Sequence, residues 1–385
     1  MGDTPSKASV VLLALLVGIN LRPIMASIGP LLDLLQADLG LSNFQGSLLT
    51  TLPVAMMGLF ALAGPWLQRL VGEVKGVAIG MTLIAAACAV RSYVESSSAL
   101  IASAAVGGMG IAVIQSLMPA FIKRNHPHSA GMLMGLFTTG IMGGAAIAAA
   151  LAAPSAARLG WNLTLGYAAL PAMIALIAWL LAAGHVHGQS TPAGLPWQRG
   201  RAWLLLVFFG VGTGAYTLVL AWLPPFFIEL GWPSRSAGYL LGALTVIEVF
   251  AGLAVSALIH RYPDRRRPLG VVILLLIGGL TCLLTAPLTL YPLAVLCLGL
   301  GIGALFPLSL IVTLDRARTP AEASSLLAFV QGGGYLIAAT MPMVAGLVRD
   351  QLSSLHWAWA VMAMGAVLLL LLSAWLRPAR LSPAP

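Results

Sequence analysis

Apolar stretches long enough to cross a lipid bilayer recur along almost the whole chain. A spanning helix needs about 20 mostly apolar residues. Twelve stretches meet that requirement, near residues 9–32, 44–67, 74–94, 98–122, 130–153, 163–183, 202–228, 236–259, 268–287, 290–314, 323–348 and 356–376. Only 8% of the residues are charged, which is too few to cover a water-facing surface. The sequence therefore predicts an all-α integral membrane protein with twelve transmembrane helices.

The two halves of the chain carry similar motifs, separated by about half of its length. Residues 46–49 (GSLL) are matched by residues 238–241 (GYLL), and residues 108–111 (GMGI) by residues 299–302 (GLGI). Such a repeat predicts two pseudo-symmetric six-helix bundles with a substrate site between them. The polar segment near the midpoint reads as a linker. The predicted domains are an N-terminal bundle over 1–184, a cytoplasmic linker over 185–201 and a C-terminal bundle over 202–385.

Pairs of glycines four residues apart lie within several of the predicted spans. Gly131 with Gly135, Gly210 with Gly214, Gly238 with Gly242, and Gly299 with Gly303 are the four pairs. In a membrane this spacing lets helix backbones approach closely. The pairs therefore predict tight helix contacts, either static or between helices that slide.

The basic residues fall mainly on one side of the predicted topology. With the N-terminus inside, the inner side has Lys7, Arg69, Lys75, Lys123, Arg124, Arg199, Arg201, Arg261, Arg265, Arg266, Arg267, Arg316, Arg318, Arg377 and Arg380. The outer side has Arg91, Arg158, Arg235 and Arg349. Positive charge marks the cytoplasmic side of membrane proteins. Both termini are therefore expected in the cytoplasm.

The same distribution limits the classes of function. The net charge of +9 comes from short connections between spans, so we expect a lipid bilayer and no nucleic acid as partner. Cys88, Cys282 and Cys297 lack the spacing of a metal site, so no metal and no cofactor are expected. The spans contain no constellation of catalytic side chains, so we do not expect an enzyme. The chain is expected to act as a monomer.

Arg22 lies inside the first predicted span. An arginine at membrane depth costs several kcal/mol by the mildest scales, so it usually faces a cavity or a partner. Pro23 follows directly, and a proline removes a backbone hydrogen bond and bends a helix. These residues predict that Arg22 binds a small anion. The alternative is that Arg22 snorkels outward or bonds a neighbouring carbonyl and braces the helix.

Glu248 is the acidic residue predicted in the middle of a span. A carboxyl group at that depth is a candidate for taking up and releasing a proton during a transport cycle. The alternatives are a structural partner for Arg22 and a protonated, hydrogen-bonded packing residue.

Other polar side chains in the spans are candidates for the walls of a pocket. They are Asn20, Gln115, Tyr216, Trp222, Gln331 and Tyr335. Asn20 is expected to share the site of Arg22 only in part, because residues two apart point to different helix faces. Each of these side chains has packing as its alternative role.

Two loops follow the second and eighth predicted spans at equivalent positions. The first contains Arg69, and the second contains Asp264 and Arg265. These residues are candidates for an inner gate made of ion pairs that break and form again. The alternative is that their charges only set the topology.

The twelve helices in two similar halves resemble the major facilitator superfamily over essentially the whole chain. In the loop motif of that family, Gly64, Arg69 and Gly72 are retained, Gln68 replaces the expected acid, and Asp264-Arg265 retain more of the second copy. Several stretches resemble the cyanate transporter branch, which is related to the 2-nitroimidazole transporters. They are residues 20–23 (NLRP), 28–32 (IGPLL), 49–53 (LTTLP), 115–119 (QSLMP), 221–224 (AWLP) and 303–308 (GALFPL).

This resemblance implies a secondary active transporter that moves cyanate, a small linear anion, across the bacterial inner membrane by alternating access. Protons are a candidate coupling ion. Arg22 would be the anion anchor, with Asn20, Gln115, Tyr216, Trp222 and Gln331 shaping the pocket. The alternative is a proton-coupled exporter of nitroimidazole-like or other drug-like compounds, with Glu248 as its proton or recognition site.

Overall fold

A computed structural model describes residues 7–183, 194–317 and 319–376 of the chain. Its helices are α1 (Lys7–Ile19), α2 (Pro23–Ala26), α3 (Ile28–Leu39), α4 (Asn43–Val71), α5 (Glu73–Arg91), α6 (Ser97–Asn125), α7 (Ala130–Leu159), α8 (Trp161–Gly166), α9 (Ala169–Ala182), α10 (Gly200–Glu229), α11 (Ser234–Leu258), α12 (Arg266–Thr285), α13 (Pro287–Leu314), α14 (Pro320–Leu352) and α15 (His356–Trp375).

Within these residues, twelve helical stretches are long and apolar enough to cross a membrane, which confirms the predicted number. The first stretch combines α1 with α2, and the sixth combines α8 with α9. Residues 185–193 of the predicted linker lie outside the described residues. We call the side on which α1 begins and α15 ends the terminal face, and the other side the opposite face.

The first six spans and the last six pack by the same pattern, as the sequence repeat predicted. In the first bundle α1 packs on α7, and in the second α10 packs on α14. Glycines make both contacts close: a Cβ added to Gly18 would lie 2.6 Å from the Phe137 carbonyl oxygen. One added to Gly210 would lie 3.0 Å from the Gly334 carbonyl oxygen. The two bundles thus use glycine at equivalent positions to bring backbones together.

The two bundles meet through α4 with α14 and through α7 with α11. Glycines again permit the approach. A Cβ on Gly58 of α4 would lie 2.8 Å from the Gly332 carbonyl oxygen, and one on Gly238 of α11 would lie 2.6 Å from the Ala149 carbonyl oxygen. Of the predicted glycine pairs, 238/242 lies in a contact between the bundles, and 210/214 and 299/303 lie in close helix contacts within the second bundle. Gly131 and Gly135 differ from the prediction, because nothing lies within 4 Å of a Cβ added at either position.

The first predicted span is broken where Arg22 lies. Helix α1 ends at Ile19, and Pro23 is the first residue of α2. A proline at the first position of a helix has no N–H to lose and its fixed φ favours a helix start, whereas inside a helix it removes a bond. Arg22 is therefore the N-cap residue of α2 and not part of a continuous helix. The bend predicted at Pro23 is confirmed.

The bundles are joined by polar contacts at the opposite face. Asp350 of α14 accepts hydrogen bonds from the backbone N–H of Asn43 (3.1 Å), the Asn43 side-chain amide (2.7 Å) and the backbone N–H of Phe44 (2.9 Å). The carboxylate thus caps the first turn of α4, which belongs to the other bundle. Beside it, Arg349 lies 3.5 Å from Asp33 of α3 and 3.6 Å from Glu229 of α10.

Candidate substrate site

A cavity of about 1050 Å³ lies between the two bundles. Arg22 and Glu248 line it at mid-span, and Lys123 and Ser324 line it near the terminal face. Its other lining residues lie toward the terminal face, and at the opposite face Asp350 and Arg349 join the bundles. Gly131 and Gly135 also line it, which explains why they contact no neighbouring helix.

Arg22 projects into this cavity with few acceptors around its guanidinium. The residue is only 4% exposed. Its Nη1 lies 3.7 Å from the Met25 sulfur and 3.6 Å from the Met57 sulfur, and its Cζ lies 5.3 Å from the centre of the Tyr216 ring. Its Nε has no hydrogen-bond partner among the described residues. A buried guanidinium without an oxygen acceptor is poised to bind an anion.

Arg91 supports the segment that carries Arg22, a role that the sequence analysis missed. The residue was expected among the basic residues of the outer side, near the end of the third span, and it is fully buried at the end of α5. Its Nη1 donates to the Ile24 carbonyl oxygen of α2 (2.9 Å), and its Nε donates to the Ser103 hydroxyl of α6 (2.9 Å). An arginine at the end of a span looks like a topology signal in sequence, so no pattern could have identified this contact.

Glu248 faces the same cavity from α11. It is 4% exposed, and neither carboxyl oxygen has a hydrogen-bond partner among the described residues. Helix α13 packs directly behind it, since a Cβ on Gly303 would lie 2.4 Å from the Glu248 Cα. Arg22 and Glu248 lie within electrostatic range of each other, but no ion pair joins them. A cation and an acid therefore face one cavity without neutralising each other by contact.

The structure brings four more of the predicted residues to this cavity. Gln115, Tyr216, Gln331 and Tyr335 all line it. The Gln115 side-chain oxygen and the Tyr216 hydroxyl have no hydrogen-bond partner among the described residues. Buried polar atoms are normally satisfied, so unsatisfied ones in a cavity indicate a place for a polar ligand.

Asn20 and Trp222 lie elsewhere. The Asn20 amide donates to the carbonyl oxygens of Leu16 (2.7 Å) and Pro171 (3.3 Å), so it ties α1 to α9. The Trp222 indole N–H donates to the Pro342 carbonyl oxygen (2.9 Å), and its ring faces Arg349. Neither residue lines the cavity. The side-chain N–H groups of both residues donate to backbone carbonyl oxygens. Asn20 and Trp222 therefore do not shape the pocket, contrary to the expectation.

The candidate gate residues make no contact between the bundles. Arg69 is exposed and forms no ion pair with a described residue. Arg265 bonds Asp315 at 2.9 Å, and Asp264 bonds Arg266 at 2.7 Å, all within the second bundle. The Arg266 side chain and backbone N–H lower the pKa of Asp264 to about 2. Asp264 and Arg265 thus do not pair with each other.

A buried ion pair at the terminal face was not anticipated. The Glu73 side chain is 1% exposed and lies 2.7 Å from Arg124, which lines the cavity. Gln68 donates a second hydrogen bond to Glu73 at 2.6 Å. In the family motif an acid is expected at the position of Gln68. Here the acid is Glu73, five residues later and at the start of α5, and Gln68 donates to it.

Comparison with known proteins agrees with this architecture. Residues 11–339 match the family model of the Major Facilitator Superfamily. The cyanate transport protein CynX of Escherichia coli strain K12 is 37% identical over 96% of this chain and 98% of its own. The 2-nitroimidazole transporter of the same organism is 31% identical over 96% and 94%. Among solved structures, a D-xylose-proton symporter superposes with a TM-score of 0.73 at 17% identity, over 94% of this chain and 97% of its own.

Proposed function

The chain belongs to the Major Facilitator Superfamily, and on this premise we propose that it carries cyanate across the bacterial inner membrane by alternating access. The observation that carries the proposal is Arg22, a buried cation in the central cavity whose near acceptors are two thioether sulfurs. The 37% identity to a cyanate transport protein supports the choice of substrate.

Arg22 anchors the anion in this proposal. A guanidinium keeps its charge at any physiological pH and offers a fixed fork of N–H donors. In a cavity that excludes most water, a charge-assisted hydrogen bond to an anion is stronger than it is in bulk solvent. The Tyr216 hydroxyl and the Gln115 side chain provide further polar contacts. Bound cyanate would then rest between elements of both bundles.

The bias in basic residues supports cytoplasmic termini, so the terminal face is the cytoplasmic one. The cavity then faces inward, and the contacts of Asp350 with Asn43 and Phe44 seal the outer side. Transport requires that these contacts break while the bundles close at the terminal face. Contacts between the bundles through α4 with α14 and α7 with α11 provide the surfaces for this rocking motion.

Glu248 is the proposed coupling acid. Its carboxyl group has no partner and shares the cavity with Arg22, so its protonation changes the field at the anion. A neutral Glu248 leaves the charge of Arg22 uncompensated and favours anion binding. An ionised Glu248 disfavours it. Cyanate and a proton would then move together.

Uptake of labelled cyanate into proteoliposomes tests the proposal. We expect saturable uptake that unlabelled cyanate inhibits and that an inward proton gradient stimulates. Arg22→Lys should raise KM about tenfold or more, because a point charge replaces the planar fork. Arg158→Lys, at an exposed position on the opposite face, is the matched control. Unchanged affinity in the Arg22 variant would remove the anchor, and absence of flux from folded protein would remove the substrate.

Export of a nitroimidazole-like compound is the second candidate. It is favoured by the 31% identity to a 2-nitroimidazole transporter and by a cavity volume well above that of a triatomic ion. In this case Glu248 recognises the substrate or its proton, and Arg22 is structural. Flux of each labelled compound separates the two candidates: saturable transport of cyanate without transport of 2-nitroimidazole supports the first, and the reverse supports the second.

A further inference from the structure

The acceptors around Arg22 differ in kind from those around other interior arginines in the described part of the chain. Arg91 donates to a hydroxyl and a carbonyl oxygen, and Arg124 meets a carboxylate. Arg22 Nη1 instead meets the sulfurs of Met25 and Met57. A thioether is a weak hydrogen-bond acceptor and a highly polarisable one. The charge of Arg22 is therefore surrounded by soft atoms and little opposing charge.

We propose that this thioether-lined guanidinium selects weakly hydrated, polarisable linear monoanions, the class that contains cyanate, thiocyanate and azide. The same site discriminates against strongly hydrated oxyanions such as formate, bicarbonate and sulfate. This inference rests on the proposed function and names the substrate class of that site. Met57, which lines the cavity, is its specificity-determining residue, and Met25 contacts the guanidinium from behind the wall.

Dehydration of the anion is the physical basis of this selectivity. A strongly hydrated anion leaves water at a cost that many strong donors must offset. Among the buried polar atoms of the cavity that lack a hydrogen-bond partner in the described part of the chain, the donors are Arg22 Nε and the hydroxyls of Thr213 and Tyr216, and the others are oxygens of Gln115 and Glu248. A weakly hydrated anion loses less on entry, and its polarisable ends gain dispersion energy against sulfur.

Glu248 strengthens the preference for a single charge. It faces the cavity from α11 without an ion-pair partner. A dianion would need more positive charge at mid-span than Arg22 supplies, because Lys123 and Arg124 line the cavity near the terminal face. Sulfate is therefore expected to be the weakest competitor.

The two sulfurs are held in place by packing. Met57 lines the cavity, and its neighbour Gly58 is locked against α14, where a Cβ would lie 2.8 Å from the Gly332 carbonyl oxygen. Met25 lies behind the wall and is fully buried in α2. Met57 therefore faces a bound anion, whereas Met25 contacts Arg22 from outside the cavity.

A competition series tests the inference in the unsubstituted protein. Labelled cyanate uptake into proteoliposomes is measured against unlabelled thiocyanate, azide, formate, bicarbonate and sulfate. Thiocyanate and azide should inhibit at concentrations within about tenfold of cyanate, and the oxyanions should need at least about tenfold more. Inhibition by formate as strong as that by thiocyanate would overturn the inference.

Variants at two cavity methionines locate the selectivity. Met57→Gln replaces the sulfur by an amide that donates to hard oxygen anions, so the ratio of formate to thiocyanate inhibition constants should fall about fivefold. Met142→Gln is the control, since Met142 lines the same cavity and makes no hydrogen bond to Arg22. Met57→Leu removes the sulfur at similar volume and should also lower the ratio of formate to thiocyanate inhibition constants. A near-native melting temperature of this variant shows that it is folded. An unchanged ratio in both Met57 variants would contradict the role of the thioether.

Binding measurements separate failure of this inference from failure of the proposed function. Calorimetric titration of the detergent-solubilised protein with thiocyanate and with formate needs no flux. If cyanate is not transported but thiocyanate binds at least about tenfold more tightly than formate, the substrate assignment fails and the selectivity stands. If cyanate is transported and the two anions bind equally, the selectivity fails and the transport function stands.

Discussion

Glu73 and Arg124 form an ion pair whose counterpart in the second bundle, Arg265 with Asp315, carries the charges in exchanged order. The distances are 2.7 Å and 2.9 Å. Each pair joins the start of one span (α5 or α12) to the end of the next (α6 or α13). The environments differ: the Glu73 side chain is 1% exposed, and the Asp315 side chain is 44% exposed. The same two helix ends are therefore joined by an acid followed by a base in the first bundle and by a base followed by an acid in the second.

Arg124→Gln should lower the free energy of unfolding by about 3 kcal/mol, because it leaves a buried carboxylate with Gln68 as its remaining partner. Glu73→Gln should cost less, since Arg124 is partly exposed and can turn to water. Thermal unfolding of the purified protein measures both. Asp315→Asn, at the exposed counterpart, should cost less than about 1 kcal/mol. The double exchange of Glu73→Arg with Arg124→Glu should recover part of the loss, and no recovery would argue against a pairwise interaction.

Gly144→Ala should weaken substrate binding without direct contact to the substrate. A Cβ there would lie 2.0 Å from the Ile19 carbonyl oxygen, at the break that carries Arg22. The helices must separate, and overpacking of this kind costs about 1–3 kcal/mol. We expect KM for cyanate to rise about tenfold. Gly143→Ala on the same helix meets nothing within 4 Å, lies outside the cavity wall and should leave KM unchanged. Equal effects of the two substitutions would exclude the steric explanation.

Asp350→Asn should favour opening of the opposite face. An asparagine has a single side-chain oxygen, so it cannot accept all three hydrogen bonds that Asn43 and Phe44 donate. Each bond to a charged group contributes about 1.5–3 kcal/mol, so the closed population should fall about tenfold or more. Spin labels at the exposed residues Glu95 and Ser234 report the separation of the bundles. Asp264→Asn, at the other face, is the control and should leave the distance distribution unchanged.

Arg91→Lys should raise KM for cyanate and largely preserve the maximal rate. An ammonium group cannot reach both the Ile24 carbonyl and the Ser103 hydroxyl in the geometry of the guanidinium. The α2 segment then loses one hydrogen bond that holds it, and the position of Arg22 at its start becomes less fixed. Ser103→Ala keeps the bond to Ile24 and should affect stability more than KM. If both variants lower stability and neither changes KM, Arg91 is structural only.

The spans could be predicted from the sequence because the bilayer sets both their length and their polarity. The position of Arg22 and Glu248 at a cavity could be predicted because charged groups are rare at membrane depth and usually face a cavity or a partner. Asn20 and Trp222 could not be excluded from the pocket, since hydropathy does not show the direction in which a side chain points. Their partners, the Pro171 and Pro342 carbonyls, lie far away in sequence.

The polar contacts between distant residues were the least predictable feature. The ion pair of Glu73 with Arg124 and the hydrogen bonds of Asp350 with Asn43 join residues whose separation in the sequence has no periodicity. Arg91 was predicted only as a charge of the outer side, because nothing in the sequence shows which partners the end of a span meets. Such contacts depend on the register between packed helices, and small residues such as Gly58 and Gly332 set that register without any polar signal.

Helix α14 connects the cavity to both membrane surfaces. Gln331 and Tyr335 reach the cavity from its middle, and Asp350 lies near its far end. Near its other end, the Ser325 hydroxyl donates to the Gly194 carbonyl oxygen of the segment between the bundles. At 33 residues the helix is about 50 Å long. We expect an anion that contacts Gln331 or Tyr335 to tilt α14, so that a small change of angle at the cavity becomes a larger displacement at Asp350.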